Sequence, residues 1–176
     1  MKIDRERLVD TATQLVNVHS FTGNEGQIAD LMVTLFDDMR LQVQRQQVED
    51  NRANALGTWA GTGGGPSLMF NGHMDTSYSG REPWLRGVPG FQPQAFERDG
   101  RLYGLGISNM KGALACYVEA VRALQDAGVR LRGDVLIAAV CGEIEKTQYG
   151  DAQGGEYRGY AAGTRYLVSH GGVADM

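Results

Sequence analysis

Cysteine is scarce in this sequence of 176 residues: there are two, Cys116 and Cys141, and neither belongs to a Cys-x-x-Cys pair. A disulfide framework is therefore excluded. Basic charge is not in excess either. Seventeen Lys and Arg against 21 Asp and Glu give a net charge of -4, with no basic cluster, so a nucleic-acid partner is not expected. No apolar run approaches the roughly 18 residues that a membrane span needs. The opening Met1-Lys2-Ile3-Asp4-Arg5-Glu6-Arg7 is polar and mixed in charge, unlike a secretory signal. These absences lead to the expectation of a cytoplasmic protein, one domain or part of a larger one.

What is present is an ordinary globular balance, 42% apolar and 22% charged, enough to bury a core. Glycine is the outlier, 25 residues where the usual share of about 7% would give about half as many. The glycines gather at 61 to 65, 80 to 90, 104 to 112 and 150 to 172, which marks loops held by a scaffold, where sites tend to sit.

Apolar periodicity predicts helices over 3 to 18, 28 to 39, 110 to 126 and about 161 to 169. Thr22-x-x-Glu25 resembles a capping box ahead of the second. Strands are predicted at 41 to 48, 53 to 60, 67 to 72, 102 to 104 and 134 to 140, the third and last as buried runs. Residues 77 to 100 hold three of the four prolines and read as a long irregular loop, a feature that is usually functional. Its Arg81 and Arg86 would suit a carboxylate. A glycine- and tyrosine-rich loop is expected at 148 to 160. Helices interleaved with apolar strands imply an α/β sheet covered on both faces.

Three polar clusters fall at the ends of these elements. Asn71-Gly72-His73-Met74-Asp75 leaves a strand, and a carboxylate two residues beyond a histidine can orient a metal-binding ring. Gly104-Leu105-Gly106-Ile107-Ser108-Asn109-Met110-Lys111-Gly112 opens a helix, where Ser108 or Asn109 also suits an N-cap. It lacks the third glycine of a dinucleotide fingerprint. Gly142-Glu143-Ile144-Glu145-Lys146 leaves a buried strand, where open α/β sheets bind ligands. If the strand continues, residues two apart share a face, which would put Glu143 and Glu145 together.

In this order the clusters resemble the M20 family of metallopeptidases and deacylases, of the acetylornithine deacetylase, succinyl-diaminopimelate desuccinylase and aminoacylase type. Ser20-Phe21-Thr22-Gly23-Asn24-Glu25, Asn54, the stretch from Gly65-Pro66 to Thr76, and LYGLGISNMKGALA carry the likeness. It implies a three-layer α/β/α catalytic domain with a mostly parallel mixed sheet, zinc-peptidase-like but incomplete, over 1 to 176. The lid or dimerisation domain and the C-terminal catalytic segment would be absent. It further implies hydrolysis of an amide bond in N-acyl amino acids or small peptides, with two Zn2+ ions, or another divalent metal, sharing a water. Carried over, His73 is a metal ligand, Asp75 sets its tautomer, and Glu143 is the general base. Lys111 matches the family's Met-Lys-Gly, with no chemical step assigned; otherwise it reads as a charge on the helix surface.

The likeness departs at two positions. Asn109 stands where the family has a bridging Asp, and a neutral amide is a weak bridge. Ile144 stands where the family has a second Glu, which leaves Glu145 to supply that ligand. Further ligands of the family lie beyond a segment like Gly172-Val173-Ala174-Asp175, so the 176-residue chain is expected to be inactive by itself, and the full-length form a homodimer. Two other readings stay open. One is a non-catalytic, small-ligand-binding relative that has lost its dinuclear site. The other is a thiol hydrolase using Cys141.

Overall fold

The computed structural model describes residues 1–145 and 159–176. The loop expected at 148 to 160 lies almost wholly outside the described residues.

Helix α1 (Arg5–Asn17) starts at Asp4, whose carboxylate accepts the Arg7 N–H at 3.1 Å, a standard N-cap. Helix α2 (Gly26–Asp38) buries Ile28, Ala29, Met32, Leu35 and Phe36, one apolar stripe at helical spacing. Strands β1 (Gln42–Glu49) and β2 (Arg52–Trp59) form a hairpin, whose turn uses Asn51 in the left-handed region (φ 58°). Strand β3 (Leu68–His73) comes next. The segment after it, expected to be irregular throughout, contains a 3-10 turn at Pro83–Leu85 and a small hairpin of β4 (Phe96–Arg98) and β5 (Arg101–Tyr103). Helix α3 (Gly112–Asp126), strand β6 (Val135–Val140) and helix α4 (Ala162–Ser169) complete the described elements.

The main sheet has the order β1-β2-β6-β3. Alternate residues of its strands serve two cores, as the period of two requires. Ala53, Ala55, Val135, Ile137 and Ala139 pack under α1, α2 and α3. Leu56, Ala138 and Val140 pack against Leu167 of α4. The layering α/β/α and the mixed sheet are as expected, with β1, β3 and β6 running in one direction and β2 reversed. Among the described strands β3 with β6 is parallel, whereas β1 with β2 and β2 with β6 are antiparallel. The β1–β2 turn is local and gives an antiparallel pair; the long crossover through α3 is what makes β3 and β6 parallel.

That parallel pair positions the site. Leu68 lies opposite Val135 and His73 opposite Val140, so both strands end at one edge and the residues after them emerge side by side. The helix α1 and α3 pair that backs this edge is locked by Arg7. Its guanidinium donates to both oxygens of the buried Glu119 carboxylate, at 2.7 and 3.0 Å.

Candidate active site

His73 is the last residue of β3, and Asp75 lies two residues on, in the turn. Asp75 is fully buried, and its carboxylate gathers four donors. Thr22 donates its hydroxyl to Oδ2 at 2.8 Å, and the backbone N–H groups of Glu143 and Ile144 donate at 3.0 and 2.9 Å. His73 Nδ1 stands 3.3 Å from Oδ1. Burial alone would raise the Asp75 pKa; the bonds from His73, Glu143 and Ile144 outweigh it and hold the group below its ordinary value. Conversely, burial would lower His73, and Asp75, Asn109 and Glu143 together raise it.

The other face of the imidazole meets the other two clusters. His73 Nε2 is 2.9 Å from Asn109 Oδ1 and 3.6 Å from Glu143 Oε2. The three sequence clusters thus converge on one ring. Asn109 belongs to a wide turn at Ile107–Lys111 with φ -146° and ψ 93°, and α3 begins only at Gly112, without a side-chain cap. The N-cap reading of Ser108 and Asn109 is therefore replaced by a turn that aims Asn109 at His73. Gly106, at φ 83°, lets this turn close in: a Cβ there would fall 2.5 Å from Thr76 Cγ2.

Strand β6 stops at Val140 and Gly142 takes φ 65°; beyond it Glu143 and Glu145 are both exposed, on either side of the buried Ile144. Among the described residues no three His, Cys, Asp or Glu side chains gather as ligands around one point. A zinc site ordinarily needs three protein ligands. The described residues therefore do not make a complete zinc site, still less a bridged pair. They offer one imidazole nitrogen and one neutral amide oxygen, with the Glu143 carboxylate close by.

Several residues of the site were not legible as such. Thr22 and Glu25 form no capping box: the Thr22 hydroxyl is given to Asp75, and Glu25 accepts the Gly23 N–H at 3.1 Å. Glu25 also pairs with Arg52 at 3.2 Å, both fully buried. Burial pushes Glu25 up to about 7, with Arg52 opposing. The Arg52 guanidinium lies directly beneath Gly142, where a Cβ would stand 1.8 Å from Nη2. An arginine opening a strand of otherwise small and apolar residues was the available signal. Lys111 is not a surface charge: it is buried, donates to Val18 O at 2.8 Å, and burial pushes it down to about 7. Asn54 anchors the end of β6, accepting the Cys141 N–H at 3.1 Å and donating to Gly163 O at 2.9 Å. Cys141 itself is buried, which first among several causes pushes its thiol up to about 12. A thiol so held is protonated at neutral pH and is no nucleophile, which removes the thiol-hydrolase reading.

Residues 69–167, which span all three clusters, match the model of Peptidase family M20/M25/M40. The chain belongs to this family. Its curated relatives include a probable succinyl-diaminopimelate desuccinylase of Staphylococcus aureus (strain MRSA252), 30% identical over 143 residues that cover 81% of this chain and 33% of the relative. Another is the N-formyl-4-amino-5-aminomethyl-2-methylpyrimidine deformylase of Bacillus subtilis (strain 168), 28% identical over 145 residues, 79% of this chain and 33% of that one. Among solved structures, the aminopeptidase PepT of Bacillus cereus ATCC 10987 superposes with a TM-score of 0.65 at 25% identity, covering 80% of this chain and 37% of that chain. Human carnosine dipeptidase 1, at 16% identity, shares the fold with a TM-score of 0.66 over 78% of this chain and 32% of its own. The chain spans about a third of the length of the curated relatives it matches. Among the described residues no helix is long and apolar enough to cross a membrane.

Proposed function

We propose that this chain is the N-terminal part of the catalytic domain of a metal-dependent hydrolase that cleaves an amide bond in N-acyl amino acids or small peptides. The observation that carries the reading is the Asp75 carboxylate, which faces His73 Nδ1 and also receives the backbone N–H groups of Glu143 and Ile144. One buried anion thereby fixes a ring and the base of a second carboxylate together. With Nδ1–H directed at Asp75, Nε2 is the nitrogen left to bind a metal, for which its present contact with Asn109 Oδ1 at 2.9 Å would have to open. Glu143, 55% exposed in its side chain and 3.6 Å from that nitrogen, is placed to take a proton from a water held beside it. Zinc is the metal the family leads us to expect. Of its ligands this chain supplies His73 and, as a neutral donor, Asn109; the rest come from elsewhere, and by itself the chain is inactive.

Met176 accepts the Met69 N–H at 2.8 Å and donates to Ser67 O at 3.1 Å, the pattern of a parallel neighbour beside Leu68. The homodimer and the cytoplasmic location belong to this same proposal, as properties of the full natural chain.

A second reading is favoured by Asn109. Its neutral oxygen, 2.9 Å from His73 Nε2, takes the place of a charge that a bridged metal pair needs, as in a relative that binds a small ligand without turnover. The test is release of amine from N-succinyl and N-acetyl amino acids and from di- and tripeptides by the full natural chain, with zinc content measured alongside. Zinc-dependent release that Glu143→Gln abolishes is the expected result. Absence of both zinc and release, restored by Asn109→Asp, would give the binding reading the lead.

A further inference from the structure

Beside the Asp75 carboxylate lies a second, fully buried layer of charge to which no step of the reaction has been given. Arg52, the first residue of β2, spreads its guanidinium over two acids. Nε and Nη2 donate to Oε2 and Oε1 of Glu25 at 3.2 and 3.3 Å, and Nη1 donates to Glu49 Oε2 at 3.1 Å. Arg52 and Glu25 are both shut off from solvent. An ion pair in such a place gains little over apolar side chains of the same volume, so stability alone is a poor reason for it.

The pair joins two turns. At one end Glu25 Oε1 also accepts the Gly23 N–H at 3.1 Å, which fixes the turn that carries Thr22. At the other end the guanidinium lies against the backbone of Gly142, where a Cβ would stand 1.8 Å from Nη2. Only a residue without a side chain can rest there, and it does so at φ 65°. The same two turns grip Asp75. Thr22 gives it a hydroxyl at 2.8 Å, and Glu143 and Ile144, directly after Gly142, give N–H groups at 3.0 and 2.9 Å. Three of the four donors to Asp75 therefore stand on segments that meet at one guanidinium–carboxylate pair. The Gly142 turn is held further by the start of α4: the carbonyls of Cys141 and Gly142 accept the Gly163 and Ala162 N–H groups at 2.9 and 3.1 Å.

We propose that Arg52, oriented by Glu25, is a positioning residue for Glu143: pressed against Gly142, it sets where the chain leaves β6 and so brings the Glu143 carboxylate to 3.6 Å from His73 Nε2. A planar fork with nitrogens on three sides meets Glu25, Glu49 and Gly142 at once, which neither a lysine nor an apolar side chain can do. The assignment rests on the hydrolase reading for the role of Glu143. It adds to that reading a residue buried out of reach of any substrate.

The test uses the full natural chain at pH 8, above the value of about 7 to which Glu25 is pushed, and two variants. Glu25→Gln/Arg52→Met removes both charges, so no buried ion is left unpaired, and the glutamine oxygen can still accept the Gly23 N–H. Arg52→Lys keeps the charge and loses the fork. Hydrogen exchange resolved to single amides is measured together with zinc content, kcat and KM, on N-succinyl and N-acetyl amino acids and on di- and tripeptides. In the double variant the Glu143 and Ile144 amides are expected to exchange at least tenfold faster while those of β6 keep their rates. There kcat falls at least tenfold, with KM and zinc content within twofold of wild type. A pair that only holds the fold predicts instead a wild-type kcat in the double variant. That result, or unchanged exchange at Glu143 and Ile144, overturns the assignment. If the double variant loses protection throughout β6, Arg52→Lys decides by the same readouts, and protection lost throughout β6 there too also overturns it. A wild-type chain that releases no amine sinks the hydrolase reading and leaves exchange to decide whether Arg52 holds the Glu143 segment. Amine release by a double variant with wild-type exchange sinks only the role of Arg52.

Discussion

Replacing Asp75 by Asn is the sharpest probe of the candidate site, because the change keeps volume and removes only charge and one acceptor. Asp75 Oδ1 faces Glu143 N–H and His73 Nδ1, and Oδ2 faces Thr22 Oγ1 and Ile144 N–H. An amide placed there points its NH2 at one of those two backbone N–H groups whichever way it lies. One buried backbone donor is thus orphaned, at about 1–3 kcal/mol, and the remaining bonds lose their charge assistance, roughly another 1 kcal/mol. The expected loss is about 2–4 kcal/mol, read from denaturant unfolding at pH 7. The Asp75 pKa is depressed in the folded state, so its contribution is present above the unfolded value and lost as pH falls through the folded one. The gap between wild type and Asp75→Asn therefore closes in acid. Thr22→Val removes one of the four donors and costs less, on the order of 1 kcal/mol. A loss below about 0.5 kcal/mol for Asp75→Asn, or one smaller than that of Thr22→Val, would refute the account of Asp75 as the anion that holds the site together.

The buried groups give three further expectations. Gly142→Ala puts a Cβ on a residue at φ 65° and 1.8 Å from Arg52 Nη2. We expect a loss of about 3 kcal/mol or more and a fall in Tm of roughly 10 °C; a near-neutral change in a thermal melt would show that Arg52 is free to move. Glu25 sits at about 7 against an ordinary 4.5, so the stability it contributes is full below the unfolded value and declines as pH rises through the folded one, by about 3 kcal/mol in all. Relative to Glu25→Gln, wild type should lose that amount between about pH 4.5 and 7.5 in denaturant unfolding, whereas a constant offset would contradict the shift. Finally, Cys116 is exposed and Cys141 buried with its thiol up at about 12. A disulfide reagent should therefore titrate one thiol quickly in the native protein and the second only on unfolding, and two fast thiols would be inconsistent with the packing beneath Gly142.

Most of the scaffold was legible in the sequence because its signals are local. The stripe from Ile28 to Met39 and the run from Asp134 to Val140 announce a helix and a buried strand, and both occur within two residues of where their patterns lie. The His73–Asp75 spacing also carried its meaning, since two residues suffice for the carboxylate to turn back on the ring. The inferences that failed depend on where the chain goes next. Thr22 and Glu25 have the residue types of a helix cap, but their partners, Asp75 and Arg52, are 53 and 27 residues away. Lys111 read as a surface charge because helical position says nothing about the neighbouring segment, and it is the carbonyl of Val18, after α1, that takes its ammonium.

The parallel junction of β3 and β6 also bears on how the protein acquires its chemistry. Asp75 meets the amides of Glu143 and Ile144 across 68 and 69 residues of sequence. Contacts of such separation close late, because the loop entropy must be met before they form. Strand β3, with His73 at its end and Asp75 just beyond, can be synthesised, and the β1–β2 hairpin formed, before the long-range bonds of the site exist. Ring orientation, the second carboxylate and the turn at Asn109 come into being together, when α3 has docked and β6 has slid in between β2 and β3. Protection of the Glu143 and Ile144 amides against hydrogen exchange is then a clock for that event, and a refolding experiment would see them among the last to slow.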